Sequence, residues 1–267
     1  MARRTFAVGD IHGDLAALTT VLGHFPPLDG EDTIVFLGDY VDRGPASAQV
    51  VDFIRRELPG RTPSRIVCIR GSHEDAWLKV RRSGWVEFVL PAGNGCLATL
   101  RSYQGRQPPR PDEIPSGDDF TAMLAASFFP DDVIAWFDAL PCYYEDEHAI
   151  YVHAGLPMQD GRWLHPAEVA DPRPLMWQRK EAFFRTYHGK RVVFGHTSTE
   201  YLPQELSCYT PEDHTDLFAG PSLLGVDTGC GHEGGFLTAV ELPSLQVYES
   251  RAGVPALGPS RTLELSY

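Results

Sequence analysis

The organisation of this chain is clearest in residues 33–44, which read Thr-Ile-Val-Phe-Leu-Gly-Asp-Tyr-Val-Asp-Arg-Gly. The first five residues are apolar and rich in β-branched side chains, a pattern that predicts a buried strand. Asp39, Asp42 and Arg43 follow on a turn with a glycine at each end. The carboxyl end of a strand is where α/β sheets hold their chemical groups, so we expect a functional site here.

The same pattern occurs twice more in the first third of the chain. Residues 5–8 predict a strand that runs into Gly-Asp-Ile-His-Gly at residues 9–13, and residues 65–69 predict one followed by Gly-Ser-His-Glu at residues 71–74. We therefore expect three strand–turn–helix units whose polar ends meet on one edge of a sheet. The ligand-type residues of the two added units are Asp10, His12, Ser72 and His73.

The second half of the chain also predicts strands that end in histidine. A hairpin is expected from residues 142–145 and 149–153, and a further strand from residues 191–194. His153 and His196 follow the second and third of these strands. Two later stretches complete the predicted sheets, a strand at residues 223–226 and a closing hairpin at residues 236–248.

Residues 92–140 differ in composition from the rest of the chain and predict a helical insertion. Residues 104–117 are dense in Pro, Arg, Asp and Gly, as in a long loop. Helices are expected on either side, at residues 95–103 and at residues 119–140, the second broken at Pro130.

Composition excludes several classes of protein. The 267 residues include 23 Lys and Arg against 36 Asp and Glu, a net charge of −13, which argues against a general nucleic-acid surface. Five cysteines without a CxxC pair favour reduced thiols over a disulfide framework. No apolar run is long enough for a membrane span, and no signal-peptide region precedes the first strand. We expect a cytoplasmic protein with no membrane partner.

The strand-end residues form a mixed carboxylate and imidazole set that suits manganese, iron or zinc. Five or six such ligands exceed the need of one catalytic ion. Two divalent ions bridged by a carboxylate account for them better, and such pairs commonly serve phosphoester hydrolysis.

Five motifs in order, at residues 9–13, 38–44, 71–74, 153–155 and 195–196, resemble the signature of the phosphoprotein-phosphatase (PPP) family of metallophosphoesterases. That family includes bacterial and phage serine/threonine phosphatases, and the motifs extend over nearly the whole chain. The resemblance implies an α/β fold, a four-layer α/β/β/α sandwich. It also implies one calcineurin-like metallophosphoesterase domain over residues 1–267, with the helical insertion at about residues 92–140.

The resemblance further implies a dinuclear site, most simply with two manganese ions, with iron or zinc as alternatives. Asp10 and His12 would hold the first metal, Asp39 would bridge both, and His153 and His196 would hold the second. A hydroxide between the metals would attack phosphorus in line.

Four more residues receive roles from the same resemblance. His73 would protonate the leaving alkoxide and Asp42 would orient its imidazole. Arg43 and Arg179 would bind phosphate oxygens. Glu74 is interpreted as a helix-start carboxylate.

Ser72 departs from the family motif Gly-Asn-His-Glu, in which the Asn oxygen ligates the second metal. A serine hydroxyl is a shorter and poorer donor than a carboxamide oxygen. The sequence leaves three interpretations open: a tolerated variant with a weaker second site, an engineered inactivating change, or drift toward phosphate binding without turnover. We predict a lower second-metal affinity than in a Ser72→Asn variant.

Three functions remain in competition. The first is hydrolysis of Ser or Thr phosphoesters, or also of Tyr phosphoesters, in a phosphoprotein or phosphopeptide substrate. The second is symmetrical hydrolysis of diadenosine tetraphosphate, since those relatives resemble the chain even at residues 94–103. Their second motif usually lacks a carboxylate at the position of Asp42, which favours the first function. The third, suggested by Ser72, is phosphate binding without catalysis.

Overall fold

A computed structural model describes residues 3–111, 113–207, 215–251 and 260–262. The strands are β1 (Thr5–Val8), β2 (Thr33–Phe36), β3 (Arg65–Cys68), β4 (Tyr143–Glu145), β5 (Ile150–Val152), β6 (Met158–Gln159), β7 (Arg162–Trp163), β8 (Val192–Phe194), β9 (Phe218–Ala219), β10 (Leu223–Gly225), β11 (Thr238–Leu242), β12 (Gln246–Glu249) and β13 (Ser260–Thr262). The α-helices are α1 (Leu15–His24), α2 (Ser47–Asp52), α3 (Ser72–Ser83), α4 (Val86–Val89), α5 (Cys96–Tyr103), α6 (Gly117–Ala125), α7 (Asp131–Ala139), α8 (Arg173–Trp177) and α9 (Glu181–Thr186).

One sheet is built from the two ends of the described chain. Its order is β13-β12-β11-β1-β2-β3, and β1, β2 and β3 run parallel, with Val8 opposite Phe36 and Phe36 opposite Cys68. Parallel neighbours bring their carboxyl ends to the same edge of the sheet. The three strand–turn–helix units predicted from the sequence are therefore confirmed, with the three turns side by side.

The second sheet has the order β4-β5-β8-β10-β9, and β5, β8 and β10 are parallel. The predicted hairpin is confirmed in β4 and β5, which pair antiparallel with Tyr144 opposite Tyr151. Sequence patterns did not predict the small hairpin β6–β7 or the two-residue strand β9, which are too short to show periodicity.

Alternating side chains divide the interior into three apolar layers. Ala7 and Val35 of the first sheet face Tyr151 and Val193 of the second, so the space between the sheets is closed with small and β-branched residues. The other faces pack outward: Phe6, Val8, Ile34 and Phe36 pack toward the helices on the first sheet, and Ile150, Val152, Val192 and Phe194 toward α8 and α9 on the second. Because each sheet is covered on both faces, the predicted four-layer α/β/β/α sandwich is confirmed.

The chain that connects β3 of the first sheet to β4 of the second is helical, as predicted for residues 92–140. Helix α6 ends at Ala125 and α7 begins at Asp131, on either side of the predicted break at Pro130. Domain boundaries remain a prediction. No described helix combines the length and apolarity that crossing a membrane requires.

The helix of the second strand–turn–helix unit keeps α-helical winding only from Ser47 to Asp52. It continues as a π-helical turn over Phe53–Glu57 and a 3-10 turn over Leu58–Gly60. Pro59 has no amide hydrogen and therefore cannot donate the hydrogen bond that would continue the α-helix. The apolar face is buried nonetheless, so the loosened winding preserves the packing.

Candidate metal centre

The sequence-predicted ligands come together where the two sheets meet. Asp10 and His12 follow β1, Asp39 follows β2, Ser72 begins α3, His153 follows β5 and His196 follows β8. All six are buried, with exposed fractions of 5% or less. Charged and polar groups are buried together at this density only when they bind one another or a cation.

The turns that carry these residues have a strained backbone. His12, Asp39, Asp42, Arg43 and His196 all have positive φ angles, between 45° and 74°. Non-glycine residues rarely adopt this region, and strain of this kind is typical of functional sites. The turns restrain one another, since the amide of His12 donates to the Asp39 carbonyl (2.8 Å).

Asp39 is shared by two groups of potential ligands. One group is His12, Asp39 and His73, the other is Asp39, His153 and His196, and within each the ligand atoms lie within 4.8 Å of one another. A carboxylate common to two groups is the arrangement that a bridged pair of cations needs. Asp10 belongs to neither group.

Two of the histidines are oriented for ligation by carbonyl groups. His12 Nδ1 lies 2.9 Å from the Val41 carbonyl oxygen, and His153 Nδ1 lies 2.8 Å from that of Leu37. A carbonyl only accepts, so Nδ1 donates in both rings and Nε2 keeps its lone pair. The two Nε2 atoms lie 3.6 and 3.4 Å from the Asp39 carboxylate.

Within the described residues, three buried atoms at the centre have no hydrogen-bond partner: Asp10 Oδ1 and both ring nitrogens of His196. The other oxygen of Asp10 accepts from the His196 amide at 3.0 Å. Burial, followed by the charge of Asp227, raises the pKa of Asp10 well above its ordinary value, and burial lowers that of His196. A divalent cation would satisfy these atoms, so the donor set fits such an ion.

Ser72 faces this centre with its hydroxyl. Its Oγ lies 3.2 Å from Asp39 Oδ2 and 3.3 Å from His153 Nε2. The Ser72 side chain thus lies beside the second group of potential ligands, and its hydroxyl is hydrogen-bonded to Asp39 and His153 of that group.

His73 and Asp42 form a buried pair next to the first group. His73 Nδ1 donates to Asp42 Oδ2 at 2.6 Å, which leaves Nε2 directed away from the pair and 3.9 Å from Asp39 Oδ2. Burial acts to lower the pKa of His73, but the Asp39 charge and the Asp42 hydrogen bond outweigh it and raise the pKa. An imidazole that keeps its proton can serve as a general acid.

The two arginines lie at the margin of the centre. Arg43 lines a cleft of about 370 Å³ together with Leu90, Pro91 and His232, and its Nε has no hydrogen-bond partner in the described part of the chain. Arg179 is exposed and donates to the His196 carbonyl at 3.0 Å.

Glu74 does more than begin a helix. Its carboxylate accepts from the amides of Gly71 (3.1 Å), Asp39 (2.9 Å) and Tyr40 (2.9 Å), so it fixes the turn that carries the shared carboxylate. Burial raises its pKa to about 7. A Cβ at position 71 would lie 2.2 Å from the Asp39 nitrogen, which explains the glycine.

Comparisons with known proteins identify similar sequences and a similar fold. The sequence pattern of the calcineurin-like phosphoesterases matches residues 3–200. The chain is 42% identical over 69 residues to serine/threonine-protein phosphatase SIT4 of Candida albicans, a segment that spans 25% of this chain and only 22% of that protein. It is 24% identical over 178 residues to serine/threonine-protein phosphatase 1 of Salmonella typhimurium, which covers 67% of this chain and 69% of that one. The crystal structure of a proposed diadenosine tetraphosphatase has the same fold, with a TM-score of 0.54 and 22% identity over 92% of each chain.

Proposed function

The chain belongs to the calcineurin-like phosphoesterase family, and on that premise we propose that it is a metal-dependent phosphoprotein phosphatase that hydrolyses phosphoserine and phosphothreonine. The contact of 2.6 Å between His73 and Asp42 carries this proposal. A serine or threonine alkoxide is a poor leaving group and needs a proton as the P–O bond breaks. An imidazole held by a buried carboxylate is suited to supply that proton.

Two divalent ions, manganese by preference and iron or zinc otherwise, would bind at the shared carboxylate. The residues that would hold them are Asp10, His12 and Asp39 for one ion, and Asp39, His153 and His196, with Ser72 beside them, for the other. When bound, such a pair lowers the pKa of a water molecule and neutralises phosphate charge.

The remaining residues would act on the substrate. Arg43 and Arg179 would hold the phosphate oxygens, because a guanidinium donates two parallel hydrogen bonds to such an anion. His73, protonated on both nitrogens, would transfer its Nε2 proton to the leaving oxygen, and Asp42 would stabilise this imidazolium through the Nδ1 hydrogen bond.

Hydrolysis of diadenosine tetraphosphate is the second candidate, favoured by the resemblance of residues 94–103 to those enzymes. A phosphoanhydride leaving group requires less proton donation, so the buried Asp42–His73 pair supports the protein phosphatase. Phosphate binding without turnover is the third candidate and depends on Ser72 alone.

We propose phosphoproteins or phosphopeptides as partners and a cytoplasmic location. Cys68, Cys96, Cys142 and Cys230 are free thiols, which fits a reducing compartment. The net charge of −13 argues against a nucleic-acid partner.

The test is phosphate release from a phosphothreonine peptide and from diadenosine tetraphosphate, each with and without manganese. Metal-dependent turnover of the peptide is expected. Turnover of the dinucleotide alone would replace this proposal with the second candidate. If the wild type releases phosphate from neither substrate and Ser72→Asn restores the release, then Ser72 is the ligand position that disables the site.

A further inference from the structure

The carboxylate of Asp42 has two donors besides His73, and neither was singled out by the sequence. Thr99 Oγ1 donates to Oδ1 at 2.6 Å, and Trp77 Nε1 lies 2.9 Å from Oδ2 and 3.1 Å from Oδ1. Asp42, Thr99 and Trp77 are all fully buried. The carboxylate therefore has one preferred orientation, with Oδ2 toward the imidazole.

Thr99 contacts the backbone of Asp42 as well as its side chain. The Asp42 amide donates to Thr99 Oγ1 (2.8 Å) and to Ser47 Oγ (3.0 Å), and the two hydroxyls lie 3.0 Å apart. Asp42 has a φ of 74°, which a non-glycine residue rarely adopts. The hydrogen bonds from its amide to Thr99 and Ser47 therefore help to stabilise this backbone conformation. One hydroxyl thus restrains both the strained backbone and the carboxylate it carries.

The helix that carries Thr99 approaches the same turn at a second point. Gly95, just before α5, accepts from the Arg43 amide at 3.4 Å, and a Cβ on it would lie 2.1 Å from that nitrogen. Residues 95–99 of the helical insertion therefore pack on the two residues proposed to orient the general acid and to bind phosphate.

We propose that Thr99 is a positioning residue for proton transfer: its hydroxyl holds Asp42 so that His73 Nδ1 stays bonded to it and Nε2 stays aimed at the leaving oxygen. This inference rests on the phosphatase function proposed above. It gives a role to residues 94–103, whose resemblance to other phosphoesterases the metal centre does not explain.

Thr99→Val is the decisive variant because valine keeps the shape and removes only the hydroxyl. The Asp42 amide retains Ser47 and the carboxylate retains Trp77, while the buried Ser47 hydroxyl loses Thr99 as its acceptor, a loss that Thr99→Ser restores. Thr99→Ser is the matched control because it restores the hydroxyl. Trp77→Phe is less informative, since Trp77 packs edge-on against Phe88 and Phe129 and a smaller ring would leave a cavity.

The assay compares two leaving groups. For a phosphothreonine peptide with manganese, kcat of Thr99→Val should fall about 10- to 100-fold, the usual cost of removing a group that orients a functional side chain. For p-nitrophenyl phosphate, whose phenolate leaves without a proton, kcat should change less than about twofold. Thr99→Ser should resemble the wild type on both. Equal losses on both substrates, or no rescue by serine, would overturn the proposal.

A readout without turnover separates this inference from the function it rests on. The His73 Nδ1 proton bonded to Asp42 should give a downfield proton resonance in the wild type and in Thr99→Ser. In Thr99→Val it should shift upfield or broaden through exchange. If the wild type hydrolyses neither substrate but the resonance behaves as stated, the phosphatase proposal fails and the positioning role stands. An unchanged resonance in Thr99→Val refutes the positioning role.

Discussion

The side chain of Ser72 is shorter than that of the asparagine that the family motif has at this position. Its hydroxyl reaches Asp39 and His153, which are themselves candidate ligands, at 3.2 and 3.3 Å. In a metal-loaded site the same hydroxyl would have to exchange these contacts for a cation, and a neutral hydroxyl is a weak ligand for a divalent ion. We therefore expect Ser72 to weaken metal binding at the position beside His153.

We expect Ser72→Asn to bind the second manganese ion about tenfold more tightly, because a carboxamide oxygen extends further and is a better donor. Calorimetric titration of the metal-free protein measures this directly. Ser72→Ala serves as the control and should bind no more tightly than the wild type. Superimposable titrations of Ser72→Asn and the wild type would contradict the prediction.

Sequence reasoning found the residues whose signal is local and missed those whose role is tertiary. Asp39 and His153 each directly follow a short apolar run that reads as a strand, so their position at a strand end could be predicted. Thr99 lies 57 positions from Asp42, and its hydroxyl looks like that of any helical threonine. Glu74 accepts hydrogen bonds from three backbone amides, and the sequence does not show this because β2 and β3 must pair before those amides come together.

At the scale of elements, the start of α5 fixes the turn that bears Arg43. Gly95 has a φ of 76°, and its missing side chain allows the close approach to the Arg43 amide. We expect Gly95→Ala to lose at least about 1 kcal/mol of unfolding free energy, because alanine is strained at positive φ and would also collide with the turn. Phosphatase activity should fall with it.

Gly93→Ala is the matched control for this substitution. Gly93 lies two residues earlier in the same connection, and a Cβ there would meet nothing within 4 Å. Urea unfolding of both variants should show a loss for position 95 only. Equal stability of the two would mean that the close approach at Gly95 is not a constraint.

An ion pair between Arg101 and Glu113 connects the long loop after α5 to that helix. Arg101 donates to Glu113 Oε2 at 3.1 Å, and the Arg110 amide donates to the same oxygen at 3.0 Å. These bonds, that of Arg101 first, lower the pKa of Glu113 from 4.5 to about 2. A carboxylate with a depressed folded pKa stabilises the fold above its unfolded pKa and loses this contribution as pH falls through the folded one.

The stability difference between the wild type and Glu113→Gln should therefore be constant above about pH 5 and shrink toward about pH 2. Denaturant unfolding at several pH values measures it. Glu87→Gln is the control, since Glu87 is exposed on α4 and has no ion pair among the described residues. A difference that stays level across this range would show that the ion pair does not contribute.

For the whole molecule, the metal centre lies on the seam between the two sheets. Asp10 and Asp39 lie on turns that follow strands of the first sheet, and His153 and His196 follow strands of the second. Between the sheets the core is apolar, whereas this edge is charged, and there Asp10 Oδ1 and the ring nitrogens of His196 have no hydrogen-bond partner in the part of the chain that the structure describes. A bound cation would thus connect the two sheets at an edge where buried polar atoms otherwise lack hydrogen bonds among the described residues.

This position predicts that metal stabilises the whole fold and not only the site. For the ion that Asp39, His153 and His196 would hold, manganese at about 100 times its Kd should add about 2.7 kcal/mol, which for a chain of this size raises Tm by about 5 to 10 °C. His196→Gln should lose most of this gain and should change the metal-free Tm less, because the described structure shows the His196 ring packed against His153 and Trp177 with no close hydrogen-bond partner on its nitrogens. Thermal melts of both proteins in chelator and in manganese test the point. If manganese leaves the wild-type Tm unchanged, or raises that of His196→Gln equally, then a cation does not bridge the two sheets through His196.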